Sequence, residues 1–121
     1  MISDALIVFN VSKKDIETLN MSNIETLLET LYKQGKKARG NLVITWNYGQ
    51  IFRQVLGKEG IRTIYGMTGA ESIPVLRNAI DSLADDVDPD YWKPTEGNAK
   101  KALQGLLAFA QIRPDGIWKG D

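Results

Sequence analysis

Residues 41–49 read Asn-Leu-Val-Ile-Thr-Trp-Asn-Tyr-Gly, a run that alternates like a strand and then stops in two aromatics, an asparagine and a glycine. In an extended chain successive side chains point to opposite faces. Leu42, Ile44, Trp46 and Tyr48 therefore share one face, and Val43, Thr45 and Asn47 the other. The first set brings a large apolar area to a core. Asparagine is also a preferred helix N-cap, and the following residues, GQIFRQVLGKEG, place Ile51, Phe52 and Val55 at helical spacing before glycines at 57 and 60. The stretch is predicted to be a strand entering a helix, with Asn47 holding the junction and Gly49 allowing a close approach of backbone.

Upstream, ALIVFNV at 5–11 has the β-branched and aromatic density of a short buried strand. Ser12 can cap a short helix with Asp15 in its first turn and Ile16 and Leu19 facing inward. Ser22 and Glu25 form a capping-box pattern ahead of Ile24, Leu27, Leu28 and Leu31, and that helix is expected to reach Gln34. Downstream, residues 61–67 suit a short strand or a loop. Thr68-Gly69-Ala70-Glu71 is a second capping box, and Ile73, Leu76, Ile80 and Leu83 trace the stripe behind it, with Pro74 early enough to be tolerated. The acidic, proline-containing DDVDPDYWKP cannot continue that helix. A last helix is expected from about Pro94-Thr95-Glu96, with Ala99, Ala102, Leu103, Leu106, Leu107 and Ala110 on its apolar face and Arg113-Pro114-Asp115-Gly116 as its stop. The fold expected is α+β, one small domain over residues 1–121, with two or three short strands packed with four or five helices.

Composition narrows the chemistry. With 121 residues, 43% hydrophobic and 25% charged, the chain suits one ordinary core. It has no cysteine and no histidine, which excludes disulfides, thiolate nucleophiles, Ser-His-Asp triads, zinc hydrolases and histidine-based RNA cleavage. Catalysis would be left to carboxylates, lysine, tyrosine or a hard cation on oxygen ligands. Fifteen basic residues balance fifteen acidic ones, so no whole-molecule field gathers nucleic acid. No window approaches the roughly 18 apolar residues of a membrane span, and the opening MISDALIVFNVSKKD lacks a secretory pattern. A cytoplasmic protein without cofactor or membrane partner is the expectation.

From residue 41 onward the order of features carries a likeness: Asn41-Leu42 with Thr45 and Asn47, Tyr65 to Glu71, the helix from Leu76 to Leu83, Asp88-Pro89 with Tyr91, and Pro114-Asp115. In these it resembles a family of small uncharacterised phage and prophage proteins. The resemblance covers residues 41–118 and implies a setting, not an activity. Where such relatives show Gly-Trp-Gly before the last helix, this chain has Glu96-Gly97-Asn98, and residues 1–40 stand as a lineage-specific addition.

Four candidate sites follow. Asp85, Asp86, Asp88 and Asp90 crowd one turn and suit either a cation or simple solvation, without the glycine and closing glutamate of a calcium loop. Lys33, Lys36, Lys37 and Arg39 are either phosphate contacts or cations favoured near a helix C-terminus. Thr45, Asn47, Tyr48, Arg62, Tyr65 and the helix start at Gly69 would gather polar donors, a guanidinium and two rings into a ligand site, unless they only cap helices and fill the core. Trp92 and Trp118 would serve an interface if exposed, and the core if not. The expected function is non-catalytic binding of a host protein or small ligand, with interference in host defence as one version. The rivals are a carboxylate or divalent-metal enzyme acting on a nucleotide, a nucleic-acid-binding module, and self-association as a homo-oligomer.

Overall fold

A computed structural model describes residues 2–17 and 29–120. β1 (Ile2–Asn10) is the middle strand of a three-stranded antiparallel sheet, flanked by β2 (Lys37–Thr45) and β3 (Ile117–Gly120). Ile7 sits opposite Gly40 on one side and Trp118 on the other. Alternation places Ala5 and Ile7 of β1, Leu42 and Ile44 of β2 and Trp118 of β3 on the face that the helices cover. With five α-helical segments and two 3-10 helices among the described residues and one antiparallel sheet, the architecture is α+β. Residues 2–10 supply the central strand and put Ala5 and Ile7 into the core, so this part of the chain is built into the fold.

Three helices start at the caps that the sequence predicts. Ser12 and Asp15 bond reciprocally at the start of α1 (Lys13–Glu17). The Ser22–Glu25 capping box, Leu19 and the stripe through Leu28 lie outside the described residues. Residues 29–33 are helical and end where expected. There Lys36 N–H donates to Leu31 O at 2.8 Å and Gly35 N–H to Tyr32 O at 3.0 Å, a closure that puts Gly35 at φ 65°. α2 (Gly49–Val55) turns Phe52 into the core. In α3 (Gly69–Asp81) both bonds of the Thr68–Glu71 capping box form, at 3.0 and 3.1 Å. α4 (Glu96–Ile112) starts from Thr95, whose hydroxyl accepts from Asn98 N–H.

α3 and α4 pack on each other beneath the sheet, and α4 approaches β2 closely. A Cβ at Gly105 would stand 3.1 Å from Leu42, which is why glycine faces the strand there. Residues 61–67, open between strand and loop on sequence grounds, begin inside a 3-10 helix, Gly60–Ile64, and Gly66–Thr68 then runs along the outer edge of β3. Gly66 N–H donates to Trp118 O and Trp118 N–H to Met67 O, both at 2.9 Å. Trp118 is 0% exposed and its indole N–H donates to the Ser72 hydroxyl at 2.7 Å, which donates in turn to Gly69 O. It is a core residue, so the interface role considered for it is corrected: pairing with Ile7 draws β3 over the helices. No described helix is long and apolar enough to cross a membrane.

Candidate functional site

The strand of residues 37–45 stops at Thr45 because the threonine side chain ends it. Its backbone is extended and its hydroxyl accepts from Asn47 N–H at 3.2 Å, so residues 46–48 coil into a 3-10 turn before α2 begins. The turn breaks the alternation that put Trp46 and Tyr48 on one face. Tyr48 is fully buried, and Trp46 swings outward to 45% exposure. Asn47 does not cap the helix: Thr45 caps the turn, Tyr48 holds the position before α2, and the Asn47 amide donates to Trp92 O at 2.7 Å. A threonine two residues ahead reaches the first free amide before asparagine can.

Between the end of β2, α2 and the 3-10 helix Gly60–Ile64 lies a cavity of about 290 Å³. Thr45, Trp46, Arg53, Glu59, Arg62 and Tyr65 line it. Arg53 runs between two glycines: a Cβ at Gly49 would lie 3.3 Å from its guanidinium, and one at Gly60 would lie 3.5 Å from its Cγ. Gly60 also has φ 62°, which L side chains rarely adopt. Among the described residues neither Arg53 nor Arg62 has an ion-pair partner, and Glu59 is the one carboxylate on the cavity wall.

Three of the six predicted ligand residues, Thr45, Arg62 and Tyr65, meet in this cavity, and three do not. Tyr48 is core: its hydroxyl donates to Tyr91 O and its ring packs edge-on against Phe52 and Tyr91. Burial pushes its pKa up, with Tyr91 and Asp90 adding to the shift, so it stays a neutral phenol. Gly69 opens no anion site, because the first amides of α3 are already used. Gly69 N–H donates to Gly116 O, Ala70 N–H to Pro114 O and Glu71 N–H to Thr68 Oγ1. A Cβ at Gly69 would come within 2.4 Å of Arg113 O, so the helix start is pressed against the turn after α4. Trp46, Arg53 and Glu59 were missed. The tryptophan's place in the alternating run argues for the core, and nothing in the local pattern marks Arg53 or Glu59.

Comparison with protein-family models, with curated proteins and with solved structures found no match. The case for a site therefore rests on geometry.

The acidic turn is a built loop. Asp86 accepts from Gly97 N–H at 3.0 Å, Asp88 from Asp90 N–H, and Asp90 from Trp92 N–H, while Asp85 pairs with Lys100 at 2.8 Å. Asp88 also pairs with Lys93, and its pKa is lowered chiefly by the Asp90 amide. Among the described residues no group of three or more acidic side chains could hold a metal ion. The loop is tied down by Asn98, buried on α4, which donates to Asp90 O and Lys93 O and accepts from Asp88 N–H at 2.9 to 3.0 Å. It delivers Tyr91 to the outer edge of β2, where the phenol accepts from Thr45 N–H and donates to Val43 O, both at 3.2 Å. Trp92 stands beside it, half exposed. The basic residues at 33–39 are exposed, and Lys33 pairs with Glu29.

A second cavity of about 380 Å³ lies between β2, α4 and this loop, walled by Leu42, Val43, Val87, Tyr91 and Ala102, with Lys101 as its cation. A third, of about 940 Å³, lies against Phe9, Phe109 and Arg113, where the guanidinium is already taken up by Asp15, Asp115 and Asn10 O. The third cavity also carries Lys14 and Arg39, but the Arg53–Arg62 cavity is the one of these three that sets two guanidiniums without ion-pair partners among the described residues beside an indole, Trp46.

Proposed function

We propose that this chain is a small non-catalytic binding protein of phage or prophage type, acting in the bacterial cytoplasm by engaging a host protein or small ligand, with interference in host defence as one concrete form. The observation that supports the reading is the cavity holding Arg53 and Arg62 without carboxylate partners among the described residues, beside Trp46 and Tyr65. Cations left uncommitted in a concavity attract an anion, and aromatic walls add contact area. A carboxylate or hard-cation enzyme would need two acidic groups converging in a pocket, and the aspartates of the 85–90 turn are occupied in shaping their own loop.

The test is capture from a host lysate by the wild-type chain and by the R53E/R62E variant, with mass spectrometry of proteins and co-purified small molecules. A protein or small molecule retained by the wild type and lost on charge reversal is the expected result. Metal-dependent turnover of a captured nucleotide would overturn the non-catalytic reading.

A further inference from the structure

We infer that the Arg53–Arg62 cavity is a nucleoside monophosphate site, in which the two guanidiniums grip the phosphate and the base lies against Trp46. This rests on the binding reading above and names its ligand.

The two arginines come from different elements, α2 and the 3-10 helix Gly60–Ile64, yet line one concavity. A guanidinium presents paired donors that match two phosphate oxygens, which an ammonium cannot do. Two such forks account for a dianionic phosphate without a metal. The indole at position 46 is the second half of the argument. Four residues of an alternating run would have buried it, but the Thr45-capped turn holds it at 45% exposure on the cavity wall, with Tyr65 beside it. An exposed ring next to uncommitted cations suits a ligand that is flat at one end and anionic at the other.

Size and charge select among such ligands. A volume of about 290 Å³ is at the small end for ligand sites and fits one nucleotide. Among the described lining residues two arginines stand against Glu59, a net +1 that suits a monophosphate better than a triphosphate. Glu59 is also an acceptor available to sugar hydroxyls. There is no glycine-rich loop followed by lysine, the device that cradles and hydrolyses triphosphates, so the site holds its ligand intact.

The experiment is isothermal titration of the full chain with AMP and GMP, and separately with ATP, adenosine and inorganic phosphate, in low salt with chelator present. The monophosphates are expected to bind at least tenfold more tightly than ATP, adenosine or phosphate alone. R53Q/R62Q should lower monophosphate affinity at least a hundredfold and W46A about tenfold, with W46F restoring most of the W46A loss and K101Q, outside the cavity, changing nothing. These side chains are exposed, and thermal melts matching the wild type show that a loss is one of binding. Equal affinity for phosphate and AMP, unaltered by W46A, overturns the proposal, as does the absence of any monophosphate binding. If binding is absent but lysate capture remains Arg53- and Arg62-dependent, the ligand assignment fails and the binding-protein reading stands.

Discussion

Asn98 carries more of the molecule than its place in the sequence suggests. Its buried amide closes three hydrogen bonds to the backbone of residues 88–93 and so ties the loop to α4. Asn98→Ala should cost about 2–4 kcal/mol in urea unfolding, because backbone groups are left unpaired. Asn98→Asp should do no better, since two donors facing carbonyls become acceptors. Arg113 plays the same part at the opposite end. It stacks 3.9 Å above the Phe9 ring, pairs with Asp15 and Asp115, and donates to Asn10 O. Arg113→Lys keeps the charge and loses the fork, and is expected to cost about 1–3 kcal/mol. Burial pushes the pKa of Asp15 up, but bonds from Ser12 and the Arg113 guanidinium outweigh that effect and hold it below its ordinary value. A carboxylate with a lowered folded-state pKa contributes stability that is complete above its unfolded pKa, near 3.8, and is lost as pH falls through the folded value. Glu71 and Asp88 are lowered as well and act in the same direction. Unfolding midpoints followed from pH 7 to pH 2 should therefore drop below about pH 4, and D15N should flatten that drop.

At the scale of elements, glycines mark where segments touch. A Cβ at Gly97 would lie 2.5 Å from Val87 N, and one at Gly116 2.5 Å from Ile7 Cγ1, with no flexible side-chain end to give way at Gly97. Gly97→Ala should destabilise by about 1–3 kcal/mol and loosen the acidic loop. Gly35→Ala meets nothing within 4 Å and should cost only about 1 kcal/mol of backbone strain, from φ 65°. Denaturant melts of the two variants check the order. What could be read from sequence at this scale was whatever is local: the capping box at Thr68–Glu71, the Leu76–Ile80 stripe, the Thr95 cap, the strand through Ile44. The turn at residues 46–48 could not be read, since three residues have no period of their own and Trp46 and Tyr48 continued the alternation by chance. Its cost was the site: the same misreading buried Trp46 and made Asn47 a cap.

For the whole molecule, the sheet order β2-β1-β3 depends on pairings between residues more than 100 positions apart, such as Ile7 with Trp118. No local pattern signals them, which is why Trp118 was open to an interface role and why the first 40 residues looked separable. Deleting residues 1–11 removes the strand that joins the other two, and should leave a chain without a cooperative thermal transition by circular dichroism. A folded product would show that the remainder can re-pair without it. The aromatic series Phe52, Tyr48, Tyr91, Trp92 links the core to the surface near the cavity, so the Thr45 region is held by packing before any ligand arrives. The proposal is that a nucleoside monophosphate binds here, with its phosphate on Arg53 and Arg62 and its base against Trp46. An amide and indole NMR titration with AMP tests it most directly: shifts should concentrate at the Trp46 indole and at residues 53, 59–62 and 65. Shifts that are absent, or that gather instead around Leu42, Ala102 and Gly105, would contradict it.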